Sequence, residues 1–303
     1  MERDVLTEIS SRLSGLVRRG AESVVRVDGR RAPASGLVWS ADGLVVTAHH
    51  SVERDEEIEI GLPGGETVAA EMLGNDPSTD VAVLRARASG LAPVEIGEPE
   101  ELEPGQLVLG VARPGRTPRA SLGLLARVAP EWRAPTGGRI ERYLETSLEV
   151  VPGVSGSLVL AASGAALGLA TAGLVRGAAM VLPGPTLRRV VKALLAHGHV
   201  RRGYLGVATI PVRLPPGAER AAGQRTALLV SAVETESPAA RAGIQLGDAI
   251  VTLGGVRVGE PGDLLPLLEE ERIGDAVPAE VLRAGVLTSL TVTLGARERG
   301  RGR

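Results

Sequence analysis

Apolar residues fall along this chain in distinct regimes. Val5, Leu6, Ile9, Leu13, Leu16 and Val17 recur at the spacing of one helix face, which predicts a helix packed on its own domain rather than lying on a membrane. The pattern then shifts to short apolar runs separated by turn residues. SGLVWSADGLVVTA holds two runs parted at Ser40-Ala41-Asp42-Gly43, and EIEIGLPGGETVAAEML holds two more parted at Pro63-Gly64-Gly65. Each reads as a hairpin, and DVAVLRA and QLVLGVA add further strands. Regular short strands of this kind predict a mainly β unit of barrel or sandwich type. Helix returns in PTLRRVVKALLAHG, entered through Pro185 and left through Gly198.

One stretch imitates a membrane span, because no residue from Val150 to Val175 is charged. Pro152 and the glycines at 153, 156, 164, 168 and 173 would make a poor helix of it. SLVLAASGAALGLATAG reads instead as a buried hairpin turning at Ser163-Gly164.

Composition narrows the classes of function. A chain of 303 residues, 44% hydrophobic, is long enough for two domains with sizeable cores. A formal net charge of −2 offers no concentrated basic face for nucleic acid. There is no Cys and no Phe, one Lys and one Asn, against abundant Arg, Ala, Gly, Val and Leu, a bias of GC-rich codons. Arginine richness is therefore not read as phosphate recognition, and disulfides and thiolate metal sites are excluded. MERDVLTEISSRLSGLVRRG lacks the apolar segment of a secretory signal, so the chain as written reads as cytoplasmic; a longer native N-terminus would leave a cell-envelope location open.

The candidate chemistry centres on VVPGVSGSL, where Ser155 lies between glycines. Such a serine is common in tight turns, and by itself it does not define an enzyme. The four histidines come in pairs, His49 with His50 and His197 with His199. His50 ends a predicted strand in VVTAHHSV, and Asp80 immediately precedes the strand of DVAVL. Alone, that Asp reads as a cap or turn residue and the His as a satisfied polar group. Together, in the order His, Asp, Ser within one β-rich unit, the three types suffice for acyl transfer: base, orienting carboxylate and nucleophile. His197 and His199 have neither Cys nor a carboxylate at ligand spacing, so no metal and no cofactor is assigned.

These segments resemble the trypsin-like serine proteases of the HtrA (DegP-like) family. SGLVWSADGLVVTAHHSV resembles the family's histidine segment, NDPSTDVAVL its aspartate segment and VVPGVSGSLV its nucleophile loop. SAVETESPAARAGIQLGDAIVTLGGVRV resembles the long PDZ signature, and the likeness spans about Ser23 to Gly295. It implies a mainly β fold: a chymotrypsin-like double β-barrel protease domain at 23–199, a PDZ domain at 200–296, a helical segment at 1–22 and a basic disordered tail at 297–303.

By position His50 would be the general base, with His49 its rival, Asp80 the orienting carboxylate and Ser155 the nucleophile. Gly153, Val154 and Ser155 would form the oxyanion hole. The PDZ domain would bind peptide C-termini or exposed strands through Tyr204, Leu205, Gly206 and Val207, flanked by a helix in GDLLPLLEEE whose Leu264, Leu265, Leu267 and Leu268 are shared between groove and core. The substrates implied are unfolded or damaged proteins.

Departures from the family pattern carry their own expectations. The usual Gly-Asn-Ser-Gly-Gly-Pro is here Gly-Val-Ser-Gly-Ser-Leu, so Ser157 adds a Cβ where backbone and substrate crowd. Ser147 and Val151 stand where relatives often carry Asp and Asn, which weakens the polar support of the loop. Val150 and the Ala170–Val175 segment would make an S1 pocket for aliphatic side chains. The family commonly trimerises through N-terminal aromatics, whereas the first aromatic here is Trp39, so a homo-oligomer stays open but is unsupported by N-terminal aromatics. The alternative function is a peptide-binding scaffold or chaperone-like protein with an impaired catalytic site.

Overall fold

The computed structural model describes residues 5–29, 32–52, 57–98 and 101–296, and the chain forms two compact units, Met1–Val200 and Arg201–Arg303. The tail expected at 297–303 lies outside the described residues, as do the first four residues of the expected helical segment.

After helix α1 (Val5–Gly20), the first unit contains two closed six-stranded barrels. The first is built from β1 (Val24–Asp28), β2 (Ala34–Val38), β3 (Leu44–Ala48), β4 (Ile58–Gly61), β5 (Thr67–Asp76) and β6 (Val81–Ala86), in the order β1-β2-β3-β6-β5-β4. Next come β7 (Leu107–Ala112), β8 (Arg119–Ala129) and a two-stranded ribbon, β9 (Trp132–Arg133) with β10 (Arg139–Ile140). With β11 (Tyr143–Thr146), β12 (Leu158–Ala161), β13 (Ala166–Thr171) and β14 (Ala179–Pro183), β7 and β8 close the second barrel in the order β11-β14-β13-β12-β7-β8. Helix α2 (Gly184–His197) follows and ends where Gly198, at φ 72°, returns its N–H to the Leu194 carbonyl at 2.8 Å.

The strands read as unbroken apolar runs because both of their faces are buried. Val45, Ile58, Ile60 and Leu84 fill the first barrel, and Leu125, Leu144, Val159 and Leu167 fill the second. A third cluster joins the barrels to each other and to α2: Leu37, Val46 and Val83 from one barrel, Val111, Leu158 and Leu169 from the other, and Leu187 and Val190 from the helix. Each such residue contributes about 1.5–3 kcal/mol by leaving water. All the predicted hairpins form, including β12 with β13 across Ser163-Gly164.

Helix α1 departs from expectation. Leu16 is buried against the core with Leu13 and Val17 half-covered beside it, whereas Val5, Leu6 and Ile9 are 67%, 73% and 45% exposed. Only the C-terminal half of the amphipathic face has a surface to pack on.

The second unit holds a sheet in the order β16 (Val207–Arg213), β17 (Thr226–Val233), β18 (Ala249–Leu253), β20 (Ala276–Arg283) and β21 (Val286–Thr293), with β19 (Val256–Arg257) on β18. The pair β15 (Gly203–Tyr204) and β22 (Gly295–Ala296) joins the two ends of the unit. Short helices α3 (Pro216–Ala222) and α4 (Pro238–Arg241) complete it. The helix expected in GDLLPLLEEE is a 3-10 segment, Pro261–Leu268, with Leu264 and Leu267 turned into the core. Pro266 lies inside it, and its missing N–H and its ring disfavour the α-helical ladder there.

Candidate active site and peptide groove

Asp80 is positioned by its own approach loop. The Asp76 carboxylate accepts from Ser78 N–H (3.1 Å), Ser78 Oγ (2.6 Å) and Thr79 Oγ1 (2.6 Å), which curls the turn ahead of β6. The turn delivers Asp80 in the left-handed region, φ 59°, with its side chain buried. β3 ends in a 3-10 turn, His49–Ser51, which brings the backbone of both histidines to Asp80. His49 N–H donates to the Asp80 backbone carbonyl at 3.0 Å. His50 N–H donates to Asp80 Oδ1 at 2.9 Å, and its Nδ1 lies 2.7 Å from Oδ2. The ring that meets the carboxylate is therefore that of His50. With a carboxylate at Nδ1, the neutral imidazole keeps its proton there and leaves Nε2 as the acceptor.

Thr171, at the end of β13, donates its hydroxyl to Asp80 Oδ2 and takes the N–H of Gly173 at 3.0 Å. Between them, Ala172 donates its N–H to Ser155 Oγ at 3.3 Å. One segment, 171–173, thus touches the carboxylate and the serine and lies against the imidazole: a Cβ on Gly173 would come 2.5 Å from both Asp80 Oδ2 and His50 Nδ1. The sequence placed Thr171 and Gly173 only in the segment expected to line S1, because their role at the carboxylate rests on contacts between β13 and a loop some ninety positions earlier.

The loop bearing Ser155 is a pair of tight turns. Val154 N–H donates to Val151 O at 3.1 Å and Ser157 N–H to Val154 O at 2.9 Å, with Gly153 and Gly156 at φ 90° and 84°. A Cβ on Gly156 would overlap the Ser35 carbonyl, so only glycine fits there. Among the described residues the amides of Gly153 and Ser155 donate to no protein acceptor. The Val154 amide is spent in the turn, and its side chain is buried in the second barrel with Leu148 and Val159. The Val154 side chain thus adds an apolar anchor to the loop. Ser147 is engaged elsewhere, its N–H and Oγ pairing with the backbone of Leu124. Ser157 is 1% exposed. Of the segment expected to line an S1 pocket, Ala170, Thr171 and Leu174 are buried, which leaves Val150, Ala172, Gly173 and Val175 with surface to offer.

In the second unit, β16 is an edge strand with β17 on one side. The loop before it is clamped: Ala239 N–H donates to Leu205 O at 2.9 Å and Glu234 N–H to Gly206 O at 2.8 Å. The Tyr204 hydroxyl donates to the Glu234 carboxylate. Gly206 sits at φ 79° against Ser237, and among the described residues the Leu205 and Gly206 amides have no protein acceptor. The loop thus has fixed carbonyls with unclaimed amides beside them, next to an open sheet edge.

Two closed barrels that carry the His50–Asp80 pair and the Ser155 loop, both touched by the 171–173 segment, followed by a sheet with an open edge, define a trypsin-like peptidase fold joined to a PDZ fold. Residues 34–169 match the trypsin-like peptidase domain family and residues 203–294 the PDZ domain family. The chain is 31% identical over 263 residues to the putative serine protease HhoB of Synechocystis sp., covering 82% of this chain and 63% of that one. It is 29% identical to protease Do-like 1, chloroplastic, of Arabidopsis thaliana, covering 92% and 67%. It is 28% identical to a probable periplasmic serine endoprotease DegP-like of Marinomonas sp., covering 88% and 58%. The chain thus spans about three-fifths of the length of the bacterial relatives. Among solved structures, the HtrA-type protease AlgW with tripeptide aligns at TM-score 0.73 and 26% identity over 96% of this chain and 99% of that one. The chain thus combines a trypsin-like peptidase domain with a PDZ domain and is similar to HtrA-type serine proteases in sequence and in fold. Among the described residues, no helix is long and apolar enough to cross a membrane.

Proposed function

We propose that the chain is a serine endopeptidase of HtrA type that cleaves unfolded or damaged proteins. The observation that carries the reading is the double attachment of His50 to Asp80 beside a serine loop with two unclaimed amides. Ser155 Oγ attacks the scissile carbonyl carbon while His50 Nε2 takes the hydroxyl proton. Asp80 holds the ring and stabilises the imidazolium, and the amides of Gly153 and Ser155 receive the oxyanion. Collapse expels the amine, which takes the proton from His50, and water releases the acyl group by the reverse sequence.

Val150, Ala172 and Val175 favour aliphatic side chains at the cleaved position. The PDZ unit takes peptide C-termini or extended strands, which add to the edge of β16 with a terminal carboxylate in a nest of amides at Tyr204–Val207. The compartment we infer is the cell envelope, on the strength of relatives described as periplasmic endoproteases; fractionation of the native host that found the protein only in the cytoplasm would overturn this.

Digestion of an unfolded model protein, with the products read by mass spectrometry, tests the activity. Cleavage after aliphatic residues that disappears in Ser155→Ala is expected. Intact substrate overturns the activity, and cuts confined to charged residues overturn the pocket.

A further inference from the structure

We infer that Ser35, which lies outside the triad, is a positioning residue that fixes the orientation of the oxyanion loop. The inference rests on the peptidase reading above. Ser35 lies on β2 in the first barrel, fully buried, and reaches across to the loop that carries Ser155. Its N–H donates to the Ser155 carbonyl at 3.1 Å, and its Oγ donates to the Gly153 carbonyl at 2.8 Å. One residue thus grips both carbonyls that flank Val154.

The direction of the hydroxyl is set by what else it touches. The Arg113 amide donates to Ser35 Oγ at 2.8 Å, so the hydroxyl acts there as an acceptor and its own proton is left for Gly153 O. Arg113 is itself immobilised. Its buried guanidinium donates to the carbonyls of Val24 (2.7 Å), Ala21 (2.7 Å) and Arg116 (3.0 Å). The next residue, Pro114, packs so closely on Gly153 that a Cβ there would lie 2.5 Å from Pro114 Cβ. On the other side, Thr47 Oγ1 donates to the Ser35 carbonyl at 2.7 Å, tying the same residue to the strand that leads into the histidines.

This anchoring matters because the loop lacks internal stiffness. Gly153 and Gly156 are at positive φ, where glycine has several accessible basins and no side chain to select one. A peptide plane here orients by whatever holds its carbonyl. With the Gly153 carbonyl held by Ser35, the Val154 N–H is sent back to Val151, and among the described residues the Gly153 and Ser155 amides stay unclaimed. Without the hydroxyl, the Gly153 carbonyl and the Arg113 amide both lose a buried partner, and the plane is free to turn over.

The test compares wild type, Ser35→Ala and Ser35→Cys as full chains. Ser35→Ala keeps the backbone bond to Ser155 O and removes only the hydroxyl, and Ser35→Cys keeps the volume with a weaker donor. On a chromogenic peptide, kcat of Ser35→Ala is expected to fall about 10- to 100-fold, somewhat less than for loss of an oxyanion donor itself. KM should stay within about twofold of wild type, and Ser35→Cys should fall between the two. Affinity for a peptide boronic acid should fall by the same factor as kcat/KM. Binding of the uncleaved peptide to Ser155→Ala should not change when Ser35→Ala is added.

A merely structural role would lower thermal stability and leave kcat per folded molecule and boronate affinity intact, which overturns the inference. If Ser35→Ala does not fold, a folded Ser35→Cys with wild-type kcat and boronate affinity also overturns it. Wild-type protein that neither cleaves nor labels removes the peptidase reading and this inference with it, whereas an active wild type with an unaffected Ser35→Ala removes this inference alone.

Discussion

His50 and Asp80 are joined twice, His50 N–H to Oδ1 at 2.9 Å and His50 Nδ1 to Oδ2 at 2.7 Å, by a carboxylate held in left-handed backbone geometry. The backbone bond places the aspartate, and the ring bond selects the tautomer. Asp80→Asn should therefore keep the fold and much of the geometry but offer an amide that can force the wrong tautomer. We expect kcat to fall on the order of 10⁴-fold with little change in thermal stability, as steady-state kinetics and calorimetry would record.

Gly173→Ala tests the close approach of the 171–173 segment. Its Cβ would come 2.5 Å from Asp80 Oδ2 and from His50 Nδ1, both already locked in mutual contact. The ring must shift, and displacements of about an ångström can cost on the order of 10²-fold in rate. We expect kcat to drop at least about 10-fold, with KM less affected; an unchanged kcat would show that this segment does not constrain the pair.

How much of this was legible in the sequence divides along contact range. Local signals were read well: Asp42-Gly43 and Ser163-Gly164 turn hairpins, and Gly198 ends α2 in the left-handed conformation that only glycine adopts cheaply. His50, Asp80 and Ser155 stood out because their residue types are few and their neighbours chemically suggestive. Ser35 and Thr171 did not, because each is a small polar residue in an apolar strand and acquires its role from partners 118 and 91 positions away. The failed expectations have the same origin. The hydrophobic period of α1 is genuine, but whether a surface exists to cover Val5, Leu6 and Ile9 is a tertiary fact. Ser157 is 1% exposed, a burial that the glycine-to-serine change in the motif does not itself disclose.

The uneven burial of α1 gives a stability contrast. Leu16 is 6% exposed and packs on the inter-barrel core, so Leu16→Ala should cost about 2–5 kcal/mol. Leu6 is 73% exposed, and Leu6→Ala should lie within about 0.5 kcal/mol of wild type. Urea unfolding of the two variants side by side checks the contrast.

Asp248 supports the PDZ unit. Burial pushes its carboxyl up, but two bonds from Arg283 (2.9 and 2.8 Å) and the Gln245 amide outweigh that and hold it below the ordinary value of 3.8. A carboxyl lowered in the folded state contributes stability above its unfolded value and loses it as the pH falls through the folded one. Asp248→Ala should cost about 1.5–3 kcal/mol at neutral pH, and the gap from wild type should close as the pH falls below about 4. Hydrogen exchange in β18 and β20, which flank the pair, reports both.

The central claim is that Ser155 is an activated nucleophile served by His50. Labelling with a fluorophosphonate probe tests it most directly, because the reagent reacts covalently only with a serine whose proton is taken and whose oxyanion is received. Wild-type protein should become labelled at Ser155, and both Ser155→Ala and His50→Ala should remain unlabelled. Folded wild-type protein that stays unlabelled, even with C-terminal peptides added to the PDZ groove, would contradict the claim.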